Sequence, residues 1–244
     1  MSKLTKTGIE YGDYAWNFYP GCLHNPYLIP ERLLAPLSVK KPARILVNFM
    51  GDLFGDWVNP FMINQNLPPN SPITGCLSLM DWVKCIIRKC PQHTFIFLTK
   101  QPQNLLRWSP FPKNAYVGVS VTSNGGMTIA MTHLASIKAS VRFISFEPLQ
   151  GAIGMNDHMG MKGVVDWVIV GQQTPVKAST TPRIEWVREI VEAADKASVP
   201  VFLKDNLKAL LDADRTIYPM THRYIRDAIG SGEWTLRQEY PAML

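Results

Sequence analysis

Short apolar runs, each closing in a small cluster of polar residues, recur along the chain and restrict what it can fold into. They are Ile45 to Asp52, Thr94 to Lys100, Tyr116 to Thr122, Val141 to Pro148 and Trp167 to Gln172, with a sixth from Val199 to Asp205. Near-continuous runs rich in Val, Ile and Phe suit strands buried on both faces, as in a parallel sheet covered by helices. Polar residues at the carboxyl end of each such strand would converge on one rim, where barrels of this kind place their chemistry.

Helix-like segments lie between the runs. Leu79 to Cys90 carries Leu79, Val83, Ile86 and Ile87 at amphipathic spacing, with Lys84, Arg88 and Lys89 interleaved. Thr181-Pro182 has the form of an N-cap followed by proline at the first helical position. The stripe Ile184, Val187, Val191 and Ala194 follows it, and Met127 to Ala139 is a weaker helical segment. Strand and helix in alternation imply parallel pairing with right-handed crossovers. One more strand fits near Ala15 to Phe18. The expected fold class is therefore α/β, a TIM-barrel-like (β/α) barrel, complete or partial. An open doubly wound sheet would be marked by a G-x-G-x-x-G turn after the first strand, and the chain has none. The whole of 1–244 is expected as one barrel domain. A polar loop is inserted at about 59–78, and an irregular tail, carrying Arg215, His222, Arg223, Arg226 and Arg237, starts at about 212.

The formal charge of +6 favours an anionic partner such as a nucleic acid or a nucleotide. The basic residues are dispersed, which also suits a solvated face. No apolar stretch approaches the ~20 residues that span a bilayer, so no membrane partner is expected. Met1 to Glu10 holds Lys3 and Lys6 with no apolar core behind them, unlike a signal peptide. Four cysteines, at 22, 76, 85 and 90, are too few and too irregular for a disulfide framework. A cytoplasmic protein is the expectation.

The ionisable groups that the runs deliver are Lys100, Glu147 and the pair Lys204 and Asp205. Gathered in a partly desolvated mouth, they suit acid–base catalysis or a phosphate clamp; mutual ion pairing that closes the rim is the alternative. Ser120, Thr122 and Gln172 would add neutral hydrogen bonds, with Gly171 beside them. Met50, Gly51 and Asp52 end another strand, and Asp52 suits either an ammonium or hydroxyl ligand or a helix N-cap. Glycine at 51 permits close backbone approach. The histidines show no metal-ligand spacing, and neither a G-x-S-x-G elbow nor a Walker loop occurs. Trp16, Phe18, Tyr19 and Tyr27 suit base stacking or burial of the first strand equally well.

Trp16-Asn17-Phe18-Tyr19-Pro20-Gly21-Cys22, the segment Met50 to Gly55, Leu98-Thr99-Lys100, Phe146-Glu147-Pro148-Leu149 and Phe202-Leu203-Lys204-Asp205-Asn206-Leu207 together carry a family likeness. The chain resembles an uncharacterised phage-associated family related to radical-SAM enzymes. The likeness runs through nearly the whole chain, to Arg237-Gln238-Glu239-Tyr240-Pro241 at its end. It implies a barrel of the radical-SAM type. It also implies that the turn at Met50, Gly51 and Asp52 approaches the amino group of S-adenosylmethionine. Such enzymes hold a 4Fe-4S cluster on three thiolates. Here Cys22 alone stands at a matching position, and Pro26-Tyr27-Leu28-Ile29 fills the place of the other two. Cys22 is thus the one metal-ligand candidate, in a site expected to have lost its cluster.

The expectation is a radical-SAM-like barrel with a degenerate iron–sulfur site, binding S-adenosylmethionine or a nucleotide or nucleic-acid-related ligand at the rim. Two alternatives stand beside it. One is an active radical enzyme, acting on a nucleic-acid-related substrate, whose cluster ligands come from unexpected positions including Cys22. The other is a phage protein that binds a partner without catalysis.

Overall fold

The apolar runs become strands because their side chains have no polar face to offer solvent. In a computed structural model, all four residues of the Trp167–Val170 strand are buried, as are Ile45, Leu46 and Val47 of the strand before the first long helix. The structure describes residues 3–21, 25–63, 76–154, 161–217, 225–226 and 235–242. Its strands are β1 (Thr5–Lys6), β2 (Tyr14–Trp16), β3 (Arg44–Val47), β4 (Thr94–Thr99), β5 (Ala115–Ser120), β6 (Val141–Phe146), β7 (Trp167–Val170), β8 (Val201–Leu203), β9 (Ile225–Arg226) and β10 (Thr235–Leu236). Its helices are α1 (Leu79–Lys89), α2 (Leu105–Trp108), α3 (Asn124–Ser136), α4 (Ile184–Ala197) and α5 (Lys208–Ile217).

The fold is mixed α/β, with an eight-stranded, mostly parallel sheet in the order β1 to β8. Strand pairs β2–β3, β3–β4, β6–β7 and β7–β8 are parallel, and β1 pairs antiparallel with β2. Strand order follows chain order without a reversal. A doubly wound sheet would reverse at a switch point, so the topology is compatible with a barrel-like α/β fold.

The chain forms two compact units, Met1–Gly118 with Ser136–Ser140, and Val119–Ala135 with Val141–Leu244. In the first, aromatic rings fill the space over β2 and β4. Trp16 lies 4.6 Å from Phe18 and 5.7 Å from Phe95, centroid to centroid. Phe54 meets Phe97 and Trp108 edge-on, at 5.8 and 5.5 Å. Helix α1 forms where its spacing predicts, and Leu79, Val83, Ile86 and Ile87 are all buried. A reciprocal capping box starts it: Asp81 N–H donates to Ser78 Oγ at 3.2 Å, and Ser78 N–H donates to Asp81 Oδ2 at 3.2 Å. Of the inserted loop, residues 64–75 lie outside the described residues. Its two ends meet where Leu79 N–H donates to Met62 O and Met80 N–H to Pro60 O.

In the second unit, helix α4 starts at Ile184 with Arg183 as N-cap, two residues later than Thr181-Pro182 suggests. Pro182 is buried ahead of the helix rather than heading it. Val187, Ile190, Val191, Ala193 and Ala194 form its buried face, wider than the predicted stripe by Ile190 and Ala193. Ser198 ends it in the left-handed region, φ 58°. Helix α5 runs on to Ile217, past Asp212, where the sequence suggests an irregular tail; alternating Asp and Ala there hide the helical period. Beyond it, β9 and β10 form a small antiparallel pair. Residues 237–239 then run antiparallel along β8: Leu203 N–H donates to Arg237 O at 2.8 Å, and Glu239 N–H to Val201 O at 2.9 Å. That pairing occupies backbone groups that an open strand edge would leave bare.

Candidate ligand site

Strands β2 and β3 lie side by side with Trp16 opposite Val47, so the loops after them start as neighbours. Two buried asparagines join those loops. Asn48 takes a left-handed conformation, φ 57°, which asparagine tolerates better than most residues. Its backbone N–H donates to Trp16 O at 3.0 Å, and its Oδ1 accepts from Tyr19 N–H at 3.0 Å. Reciprocally, Asn17 Oδ1 accepts from Met50 N–H at 3.1 Å. Gly21 N–H donates to Met50 O at 3.3 Å, and Gly21 and Gly51 form a parallel bridge. A Cβ on Gly51 would lie 2.8 Å from Gly21 O and 2.9 Å from Tyr19 O, so glycine is required there. Met50 is left outside this seam, 69% exposed. Asn48 Nδ2 is buried without a hydrogen-bond partner among the described residues.

Asp52 follows the seam and ties it to β4. Its Oδ1 accepts from Phe54 N–H at 2.9 Å. Its Oδ2 accepts from the Thr99 hydroxyl at 2.7 Å and from Lys100 N–H at 2.9 Å. An ionised carboxylate offers about four acceptor positions, and these bonds fill three. Asp52 is half-buried, while Lys100 is exposed. Asp52 thus organises its loop, and one acceptor position is left over. It is not a helix N-cap, because the segment after it makes turns rather than a helix.

The second unit gathers its own polar group at the carboxyl ends of β6, β7 and β8. Lys204 ion-pairs with Glu147, and only 8% of Lys204 is exposed. Gly171 makes room for the lysine stem: a Cβ there would meet Lys204 Cδ at 2.8 Å. Gln172 donates through Nε2 to the Asn206 carbonyl, and Asn206 Nδ2 donates to Gln172 O at 2.8 Å. Asp205 is engaged elsewhere, accepting from Gln238 Nε2 of the tail at 2.9 Å. Thr122 contributes its carbonyl, which accepts from Gln150 N–H at 3.0 Å, and Ser120 is half-buried at the end of β5.

The structure thus brings Met50, Gly51, Asp52 and the Lys100 backbone together in the first unit. Glu147, Gly171, Gln172 and Lys204 come together in the second. Asn17, Asn48, Thr99, Asn206 and Gln238 also hold these groups together, and none of them stands out as a site residue in the sequence alone. Asn48 had a usable signal, a turn-forming residue directly after an apolar strand; the others needed the strand register.

Cys22 lies outside the described residues. Cys85 and Cys76 are half-buried and Cys90 is buried. Burial pushes the Cys90 thiol up. Among the described residues no three His, Cys, Asp or Glu side chains gather as a metal site, and no helix is long and apolar enough to cross a membrane. His93, buried before β4, shares a hydrogen bond between Nε2 and Val39 O at 3.0 Å.

A family model described as a protein of unknown function (DUF5131) matches residues 75–213, more than half of the chain. No curated protein matches it significantly. No solved structure does either.

Proposed function

The chain belongs to the DUF5131 family of proteins of unknown function, and we propose that it is a cytoplasmic barrel of the radical-SAM type. In this proposal it binds S-adenosylmethionine or a nucleotide-related ligand at the carboxyl ends of β2, β3 and β4. The observation that carries the reading is Asp52, held by three donors and half-exposed, with an acceptor position to spare. An amino group or a ribose hydroxyl is the ligand group that such a position accepts. Met50 supplies an exposed apolar surface beside it. The parallel bridge between Gly21 and Gly51 braces the turn. Lys100 and the +6 formal charge favour a ligand with an anionic part.

Cys22 is the one thiol of the first loop, so this reading has no 4Fe-4S cluster and assigns binding rather than radical chemistry. The phage setting and a nucleic-acid-related partner belong to the same proposal.

Calorimetric titration with S-adenosylmethionine, adenosine and ATP tests it. At least one is expected to bind, and Asp52→Asn is expected to weaken that ligand tenfold or more, since a hydrogen bond to a charged group contributes about 1.5–3 kcal/mol. Absence of binding by all three to folded protein would overturn the reading. Iron analysis of anaerobically purified protein tests the second part, and about four irons per chain would refute the lost cluster.

A further inference from the structure

At the amino end of β8, the end opposite Lys204, the second unit carries a cavity of about 570 Å³, within the size range of small-molecule sites. Its wall comes from Asp195 and Ser198 at the end of α4, Pro200 ahead of β8, and Arg237, Glu239 and Tyr240 of the tail. The left-handed turn at Ser198 and the pairing of residues 237–239 with β8 bring these stretches together. Arg237 is clamped between two acids. One of its terminal nitrogens donates to Asp195 Oδ1 at 2.7 Å, and the other lies 2.9 Å from Glu239 Oε2. The same Glu239 oxygen accepts from Val201 N–H at 3.0 Å. Among the described residues nothing donates to Asp195 Oδ2 or to Glu239 Oε1, and the two side chains are 33% and 32% exposed. Two carboxylates against one guanidinium leave a net negative charge. Helix α4 presents its carbonyl end, the negative end of its dipole, on the same side. Tyr240 is the aromatic part of the wall and stays 40% exposed. Trp167, 5.6 Å away and inclined by 33°, and Phe202, at 5.4 Å, brace its ring from behind.

We propose that this cavity binds a small guanidinium compound, with Asp195 and Glu239 accepting its N–H groups and Tyr240 stacking on its plane. The local charge selects a cation, and an anion would meet an arginine already shared between two acids. Among cations, a guanidinium is flat, donates within its plane to carboxylates and stacks on aromatic faces, whereas an ammonium is a compact, strongly hydrated point charge. The exposed Tyr240 ring adds a cation–π attraction. Arg237 already displays the same chemistry, since its own guanidinium takes one oxygen of each acid; the ligand would take the other two. Barrels of this class place their chemistry at the carboxyl ends of the strands. A site at the amino end of β8 is therefore assigned binding and no reaction. It shares no residue with the site around Asp52, so neither reading depends on the other.

Calorimetric titration of the folded full-length chain with butylguanidine and with butylurea, a flat analogue of the same shape without the charge, tests the proposal. Butylguanidine is expected to bind, and butylurea to bind about tenfold more weakly or not at all. Asp195→Asn and Tyr240→Leu should each weaken butylguanidine about threefold or more, while Tyr240→Phe, which keeps the ring, should leave binding unchanged. Asp195 is exposed on α4, and asparagine keeps an oxygen for Arg237. Asp195→Asn therefore decides the matter alone if losing the Tyr240 ring unfolds the chain, as circular dichroism would show. No binding of butylguanidine at millimolar concentration would overturn the proposal. Equal binding of butylurea, or undiminished binding by folded Asp195→Asn or Tyr240→Leu protein, would do the same.

Discussion

The Thr99 hydroxyl donates to Asp52 Oδ2 at 2.7 Å, joining the last residue of β4 to the loop after β3. The same oxygen takes Lys100 N–H, so one carboxylate sets where two neighbouring strands release their chains. A loop residue read from sequence as a ligand is thereby also a structural tie, and substituting it must be judged on both counts.

Asp52→Ala is expected to lower unfolding stability by about 2–3 kcal/mol, because it strands three donors. Thr99→Val is expected to cost about 1 kcal/mol. In urea unfolding the double variant should lose less than the sum, since the residues share a bond. Additive losses would show that Thr99 and Asp52 act independently.

The Glu147–Lys204 pair is mostly withdrawn from water, with side-chain exposures of 22% and 10%. Removing one partner leaves the other charge poorly solvated. Lys204→Met or Glu147→Gln alone should therefore destabilise by about 3–5 kcal/mol, while the double variant recovers much of the loss. Gly171→Ala should behave like a milder Lys204 variant, at about 1–3 kcal/mol, because its Cβ lands on the lysine stem.

Burial holds the His93 imidazole below its ordinary value of 6.5, against backbone hydrogen bonds that act the other way. The unfolded chain therefore binds a proton at a higher pH than the folded protein does. The stability tied to neutral His93 is present above pH 6.5 and is lost as pH falls below it. Chemical unfolding measured between pH 8 and 5 should show that decline, and His93→Gln should flatten it.

Deleting residues 237–244 should expose the β8 edge that Arg237 and Glu239 now cover. It also removes the Glu239 carbonyl that accepts from the Trp167 indole at 2.8 Å, and the Arg237 ion pair with Asp195. The truncated chain is expected to aggregate at concentrations where the full chain stays monodisperse by light scattering.

The sequence showed the strands plainly because burial on both faces leaves a continuous apolar signature, as in Trp167 to Val170. Helix α1 was equally legible, with Leu79, Val83, Ile86 and Ile87 on one face. The tail was not, since pairing of residues 237–239 with β8 is a long-range backbone event that no local pattern encodes. The site was legible only in part. Asp52, Glu147 and Lys204 declared themselves as charges at strand ends. Asn17 and Asn48 became partners only once β2 and β3 were in register.

The most direct test of the central claim is a crystal structure of the full chain soaked with whichever of S-adenosylmethionine, adenosine or ATP binds most tightly in solution. The account predicts ligand density against Met50 and Gly51, with an amino or hydroxyl group within hydrogen-bond distance of Asp52. Density located away from that turn, or none at saturating ligand, would contradict it.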